Sequence, residues 1–171
     1  MTTSAAELVF HSDSPEATLA IGHALGRVAE PGLVVALVGP LGAGKTQFVR
    51  GVVQGLDVPD PRVVSSPTFV LLQEYAGRLP IYHFDTYRLT SPRQFADLGP
   101  EEYFEGNGIC LVEWADRIAS QLPDDRLELR IAMDGPTQRT LTFTPIGLGI
   151  AARVFGGLRK IGPAAQKASM Q

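Results

Sequence analysis

The eight residues Gly39-Pro40-Leu41-Gly42-Ala43-Gly44-Lys45-Thr46 fit the pattern G-x-x-x-x-G-K-[ST] at every fixed position. Such a loop cradles phosphate only where it joins a strand to a helix, so it constrains the fold of its neighbours. Both neighbours comply. Leu33-Val34-Val35-Ala36-Leu37-Val38 is short, apolar and rich in β-branched residues, the character of a parallel strand buried on both faces. Downstream, Phe48, Val49, Val52, Val53 and Leu56 share one helical face, with Gly55 near the helix end. Gly42 and Gly44 let the backbone curl until successive N–H groups face one anion, and the new helix adds the positive end of its dipole. Lys45 reaches the terminal phosphates and the Thr46 hydroxyl is suited to Mg²⁺. Pro40 lacks an N–H but precedes the cradle, so it is tolerated.

The predicted fold is therefore α/β, a P-loop sandwich whose central, mostly parallel sheet is flanked by helices and extended by antiparallel hairpin strands. The chain has 171 residues, enough for a core without staples. Residues 1–145 read as one domain and residues 146–171 as a basic, glycine-containing tail, either helical or disordered, with disorder the simpler reading. A net charge of −3 argues against a strong grip on a nucleic acid backbone by this chain alone. Contact with RNA would need a local patch or a partner. Cys110 is the only cysteine, which excludes an internal disulfide, and its setting in Ile109-Cys110-Leu111-Val112 suits a buried side chain better than a reactive thiol. No basic start with an apolar stretch suggests a signal peptide and no apolar run is long enough for a membrane span, so a cytoplasmic location is expected.

Other elements follow from local signals. Ser14-Pro15-Glu16 opens a helix with Ile21, Ala24, Leu25 and Val28 as its buried stripe, closed by Glu30-Pro31-Gly32. Thr68 to Tyr75 and Ile81 to Phe84 form a predicted hairpin, and alternation at Leu127, Leu129, Ile131, Leu141 and Phe143 predicts a second around Asp134-Gly135-Pro136. Residues 91–105 are expected to be one helix, with Phe95 and Leu98 on its apolar side. In the tail, Ile150, Val154, Leu158 and Ile161 have helical spacing, although Gly156 and Gly157 each weaken a helix by about 1 kcal/mol relative to alanine.

A phosphate loop needs further groups to hydrolyse what it binds: a second anchor for Mg²⁺ and something to orient water. Glu113 follows Ile109-Cys110-Leu111-Val112, and Asp85 follows Ile81-Tyr82-His83-Phe84. Both acids should emerge at the carboxyl ends of strands, where ligands of open α/β sheets bind. Ser65-Ser66-Pro67-Thr68 is either an ordinary hydroxyl-capped turn or a switch-like segment sensing the terminal phosphate. Arg88 suits an ion pair more than charge neutralisation, His83 reads as a packed histidine, and Trp114 reads as core with the option of reporting a neighbouring nucleotide.

Taken together, Gly39 to Thr46, Ser66-Pro67-Thr68-Phe69, His83-Phe84-Asp85-x-Tyr87-Arg88-Leu89, Glu102-Tyr103-Phe104 and Leu111-Val112-Glu113-Trp114 resemble the TsaE (YjeE) family over about residues 8–143. The resemblance implies an ATPase required for N6-threonylcarbamoyladenosine at position 37 of tRNAs that read codons beginning with A. It implies that the chain works on a complex of TsaD and TsaB, meeting tRNA indirectly, with no membrane or DNA partner, and that hydrolysis resets the complex. By motif, Leu41, Gly42, Ala43, Gly44, Lys45 and Thr46 would bind ATP. Thr46 and Glu113 would hold Mg²⁺, and Asp85 with Lys45 would support hydrolysis. Arg139 is matched to a nucleotide contact by strand position alone. Pro40 replaces the family's common acid and Gln47 its usual hydroxyl residue, while the segment from Ile146 falls outside the resemblance. Two other classes fit the loop: a small-molecule kinase, which would want an arginine-rich lid that the scattered Arg62, Arg88 and Arg93 do not suggest, and a nucleotide-binding module without hydrolysis.

Overall fold

The apolar runs become the middle of a seven-stranded sheet whose order is β1-β7-β6-β2-β5-β4-β3. A computed structural model describes the backbone of residues 6–65 and 70–168 and the side chains of 6–65 and 70–162. Ser66, Pro67, Thr68 and Phe69, which hold the expected switch-like motif, lie outside the described residues. The strands are β1 (Leu8–Ser12), β2 (Val34–Val38), β3 (Leu72–Ala76), β4 (Pro80–Asp85), β5 (Ile109–Glu113), β6 (Arg126–Met133) and β7 (Arg139–Ile146). The helices are α1 (Pro15–Val28), α2 (Lys45–Gly55), α3 (Pro92–Ala96), α4 (Glu101–Phe104) and α5 (Ile150–Ala168). The middle strands β6, β2, β5 and β4 pair in parallel, and β3, β7 and β1 extend the sheet antiparallel.

Burial explains the composition of each strand. In β2, Val35 and Leu37 face one core with α1, α2 and α5, while Val34 and Ala36 face a second core with Phe84, Phe95 and Ile118. Strands covered on both faces need apolar residues at every position. In β6 and β7 only alternate residues are buried, which is why Leu127, Leu129, Ile131, Leu141 and Phe143 show a period of two. Cys110 lies in the second core and is buried, and burial pushes its thiol pKa up to about 12.

The expected α1 is present, with the Ser14 hydroxyl accepting from the Ala17 N–H at 3.1 Å and Pro15 at the first helical position. It packs on α2 at backbone distance. A Cβ on Gly22 or Gly51 would collide with the carbonyl oxygens of Phe48 and Leu19 respectively.

Three expectations change. Residues 91–105 form two short helices because Gly99, at φ +65°, and Pro100, which has no N–H to continue the ladder, intervene. Phe95 is buried as expected, but Leu98 is 36% exposed. The strand β1 adds to the expected elements; Leu8 and Phe10 are its only alternating apolar pair on the inner face, too short a pattern to mark a strand in the sequence. In the tail, residues 150–168 are helical rather than disordered: Ala151, Val154, Phe155 and Leu158 are buried in the core, and Ile161 lies largely outside that stripe. The carboxylate of Asp125, 25 residues upstream of Ile150, accepts the N–H groups of Ile150 at 2.8 Å and Ala151 at 3.1 Å and so caps α5.

Candidate functional site

At the carboxyl ends of β2, β4 and β5 the sequence candidates converge on one cavity of about 310 Å³. It is lined by Leu41 to Gln47, Asp85, Tyr87, Glu113 and Trp114. The loop leaves β2 and turns into α2, with Gly42 at φ +79° and Gly44 at φ +103°. A side chain at either position would strain that curl. Gly44 is the N-cap and no side chain caps the helix, so the first-turn N–H groups remain available to an anion, with the helix dipole behind them. Ala43 is buried, whereas Leu41 is 74% exposed at the rim.

Lys45 is buried. Its ammonium donates to the carbonyls of Gly39 at 2.7 Å and Pro40 at 2.9 Å, and lies 3.9 Å from the centre of the Trp114 ring. Burial lowers its pKa, a shift opposed by the nearby charges of Glu113, Asp85 and Asp116. Thr46 donates its hydroxyl to Glu113 Oε1 at 3.1 Å, bridging a sequence separation of 67 residues. These two are the pair expected to hold a metal, and both present hard oxygen atoms of the kind Mg²⁺ prefers.

Asp85 and Glu113 are partners in the parallel register of β4 and β5 and are 4% and 2% exposed. Asp85 Oδ1 accepts from the Tyr87 N–H at 2.9 Å, which fixes the carboxylate at the cavity wall. The buried Thr86 between them clamps the two strand ends: its hydroxyl donates to the carbonyls of Glu113 at 3.1 Å and Trp114 at 2.7 Å. Trp114 has φ +58°, an uncommon conformation for a bulky residue, and occurs where β5 enters the site. Its ring stacks near Tyr87 at 4.9 Å, so it belongs to the cavity wall and not to the core.

Arg139 is placed elsewhere. It grips the loop from outside, donating from Nε to the Ala43 carbonyl at 3.1 Å and from Nη2 to that of Gly42 at 3.2 Å. Its remaining nitrogen, Nη1, donates to Gly135 and Gln138. It also borders a second cavity of about 170 Å³ with Ser14, Pro15, Thr18, Gln47 and Pro136, which shares Gly42 to Gly44 with the first. Gln47 reaches back to the Pro15 carbonyl at 3.3 Å and so ties α2 to the start of α1.

His83 is a packed histidine, fully buried, yet it packs against the site: Nε2 lies 3.5 Å from Glu113 Oε2. The signal was in the strand period, since His83 stands two residues before Asp85 and thus on the same sheet face. Thr86, Gly22, Gly26 and Gly51 carry no comparable signal in the sequence.

Comparison with known proteins shows the family of the chain. The family model described as threonylcarbamoyl adenosine biosynthesis protein TsaE matches residues 12–141. A tRNA threonylcarbamoyladenosine biosynthesis protein TsaE of Bacillus subtilis is 46% identical over 142 residues, covering 82% of this chain and 87% of the relative. One of the same description from Treponema pallidum is 44% identical over 132 residues, covering 76% of this chain and 96% of the relative. The crystal structure of Bacillus subtilis YdiB superposes with a TM-score of 0.78 at 37% sequence identity, over 94% of this chain and 99% of that one. No helix among the described residues is long and apolar enough to cross a membrane.

Proposed function

The chain belongs to the TsaE family, and from that premise we propose that it is a Mg²⁺-dependent ATPase serving threonylcarbamoyladenosine formation at position 37 of tRNA. In this reading it acts in the cytoplasm with TsaD and TsaB and meets tRNA only through them. The observation that carries the catalytic part is the hydroxyl of Thr46 on Glu113 Oε1 at 3.1 Å, with Asp85 beside Glu113 in register.

The cradle of Gly42 to Thr46 binds the β- and γ-phosphates through backbone N–H groups, and Lys45 neutralises their charge. To do so its ammonium exchanges the Gly39 and Pro40 carbonyls for phosphate oxygens. Thr46 and Glu113 would hold the metal, which when bound would stabilise charge that develops on the phosphate oxygens. Asp85, held by the Tyr87 N–H, accepts a hydrogen bond from water and aims its oxygen at the γ-phosphorus. The new P–O bond forms as the bond to the bridging oxygen breaks; that oxygen leaves on ADP, and the proton shed by the water passes through the Asp85 carboxylate to solvent. The second cavity, across Gly42 to Gly44 from the first, is where the nucleoside extends, with Arg139 supporting the shared wall.

Purified protein should release ADP slowly alone and faster with TsaD, TsaB and tRNA. Lys45→Ala should abolish both rates and stop threonylcarbamoyladenosine formation after one round. Full multiple-turnover modification by that variant would sink the proposal.

A further inference from the structure

A fully buried imidazole nitrogen needs a partner, because leaving one unpaired costs about 1–3 kcal/mol. His83 Nε2 is buried in the sheet and makes no conventional hydrogen bond. The polar atom it faces is Glu113 Oε2 at 3.5 Å, while the other oxygen, Oε1, already receives the Thr46 hydroxyl. Glu113 thus stands between a donor on the phosphate loop and an imidazole on β4. On the far side of the ring, Nδ1 lies 3.5 Å from the Tyr75 hydroxyl of the edge strand β3, which itself donates to Gln73.

We infer that His83 is a positioning residue for Glu113: its Nε2–H points at Oε2 and holds the carboxylate so that Oε1 faces Thr46 and the cavity. The hydrogen is assigned to Nε2 because the group it faces is a carboxylate oxygen, an acceptor. Without that donor the carboxylate is free to turn, and the buried oxygen pair no longer presents one fixed edge. His83 is fully buried and Glu113 nearly so, which makes the imidazole hard to replace by solvent. Supporting partners of this kind fix the orientation of metal ligands and are worth about 10–100-fold in metal affinity. The inference rests on the proposed role of Glu113 in holding the divalent ion and adds the residue that aims it.

Glutamine and asparagine separate the two sides of the ring, because a glutamine amide N–H takes the place of Nε2 and an asparagine amide that of Nδ1. Mn²⁺ binding to the full chain with ADP, followed by electron paramagnetic resonance of the free ion, reads metal affinity without turnover. Trp114 fluorescence in excess EDTA reads metal-free ADP affinity. His83→Asn and His83→Leu should weaken Mn²⁺ by about 10–100-fold, with metal-free ADP affinity within about twofold of the parent. His83→Gln should stay within about threefold for both. Should His83→Leu fail to fold, the Gln and Asn pair decides alone. Equal Mn²⁺ affinity in His83→Asn and the parent, or better retention by Asn than by Gln, overturns the inference and assigns the ring to Tyr75 instead. Glu113→Gln is the control: if it leaves Mn²⁺ binding intact, the proposed metal role of Glu113 falls and the inference with it. If it weakens Mn²⁺ while His83→Asn does not, only the positioning role fails.

Discussion

Asp85 and Glu113 sit side by side at the carboxyl ends of adjacent parallel strands, and the buried ammonium of Lys45 feels both charges. Two acids so close have different partners: Glu113 receives the Thr46 hydroxyl and Asp85 the Tyr87 N–H. That difference separates binding from chemistry. Asp85→Asn keeps an oxygen for the Tyr87 N–H but removes the charge that orients water. ADP release should drop by about 10²–10⁴-fold. ATP affinity, measured by Trp114 fluorescence, should change by no more than about threefold, because the cradle itself is backbone. Unaltered turnover in this variant would remove Asp85 from the mechanism.

Lys45 has its pKa lowered from 10.5, by burial first, against the opposing pull of Glu113, Asp85 and Asp116. A lowered lysine pKa means the side chain gives up its proton at a lower pH than a free lysine does. Triphosphate affinity should therefore decline as pH rises through that lowered value, below 10.5. In the nucleotide-free protein the sign for stability is the reverse: between the lowered value and 10.5 the unfolded chain binds more protons, so stability from this group rises with pH. A titration of ATP affinity from neutral to alkaline pH checks the first statement, with Lys45→Arg as comparison. The arginine variant should bind more weakly but show a flat profile over the same range.

Glycine contacts between α1 and α2 make the second helix, and hence the loop it carries, sensitive to small additions. Gly51→Ala drives a methyl group into the Leu19 carbonyl, and Gly55 meets His23 in the same way one turn later. Overpacking of this kind costs about 1–3 kcal/mol or more. Gly156 in α5 faces open space, so Gly156→Ala should stabilise by about 0.5–1 kcal/mol through helix propensity alone. Urea denaturation of both variants tests the contrast. ATP affinity should fall in Gly51→Ala and stay constant in Gly156→Ala, since only the first disturbs the helix beginning at Lys45.

What could be read from the chain divides by sequence distance. The phosphate loop is local, and Asp85 and Glu113 each announce themselves by following an apolar run, so their convergence on one cavity followed from strand ends alone. His83 and Arg139 depend on which strands become neighbours. The approach of His83 to Glu113 needs β4 beside β5, and the grip of Arg139 on Ala43 spans 96 residues. The strand period puts His83 on the face of Asp85, but no local pattern says which strand becomes its neighbour. The break at Gly99-Pro100 was written in the sequence but outweighed by the helical composition around it.

The helix α5 was obscured for a related reason. Its start signal is not local: the cap comes from Asp125, and the paired glycines at 156 and 157 lower its propensity. Packing compensates, because Val154 and Leu158 are buried against the same core as α1. Asp125→Ala removes both capping hydrogen bonds and should cost about 0.5–2 kcal/mol. Asp125 precedes the amino end of β6, whereas the site lies at the carboxyl end of its parallel neighbour β2 and is lined by no described residue of α5, so ATP affinity should hold within about twofold of the parent, a change under about 0.5 kcal/mol. Loss of stability with retained affinity would show α5 to be part of the fold that supports the site. No loss of stability would mean that the cap contributes nothing, and that the buried stripe alone holds the helix.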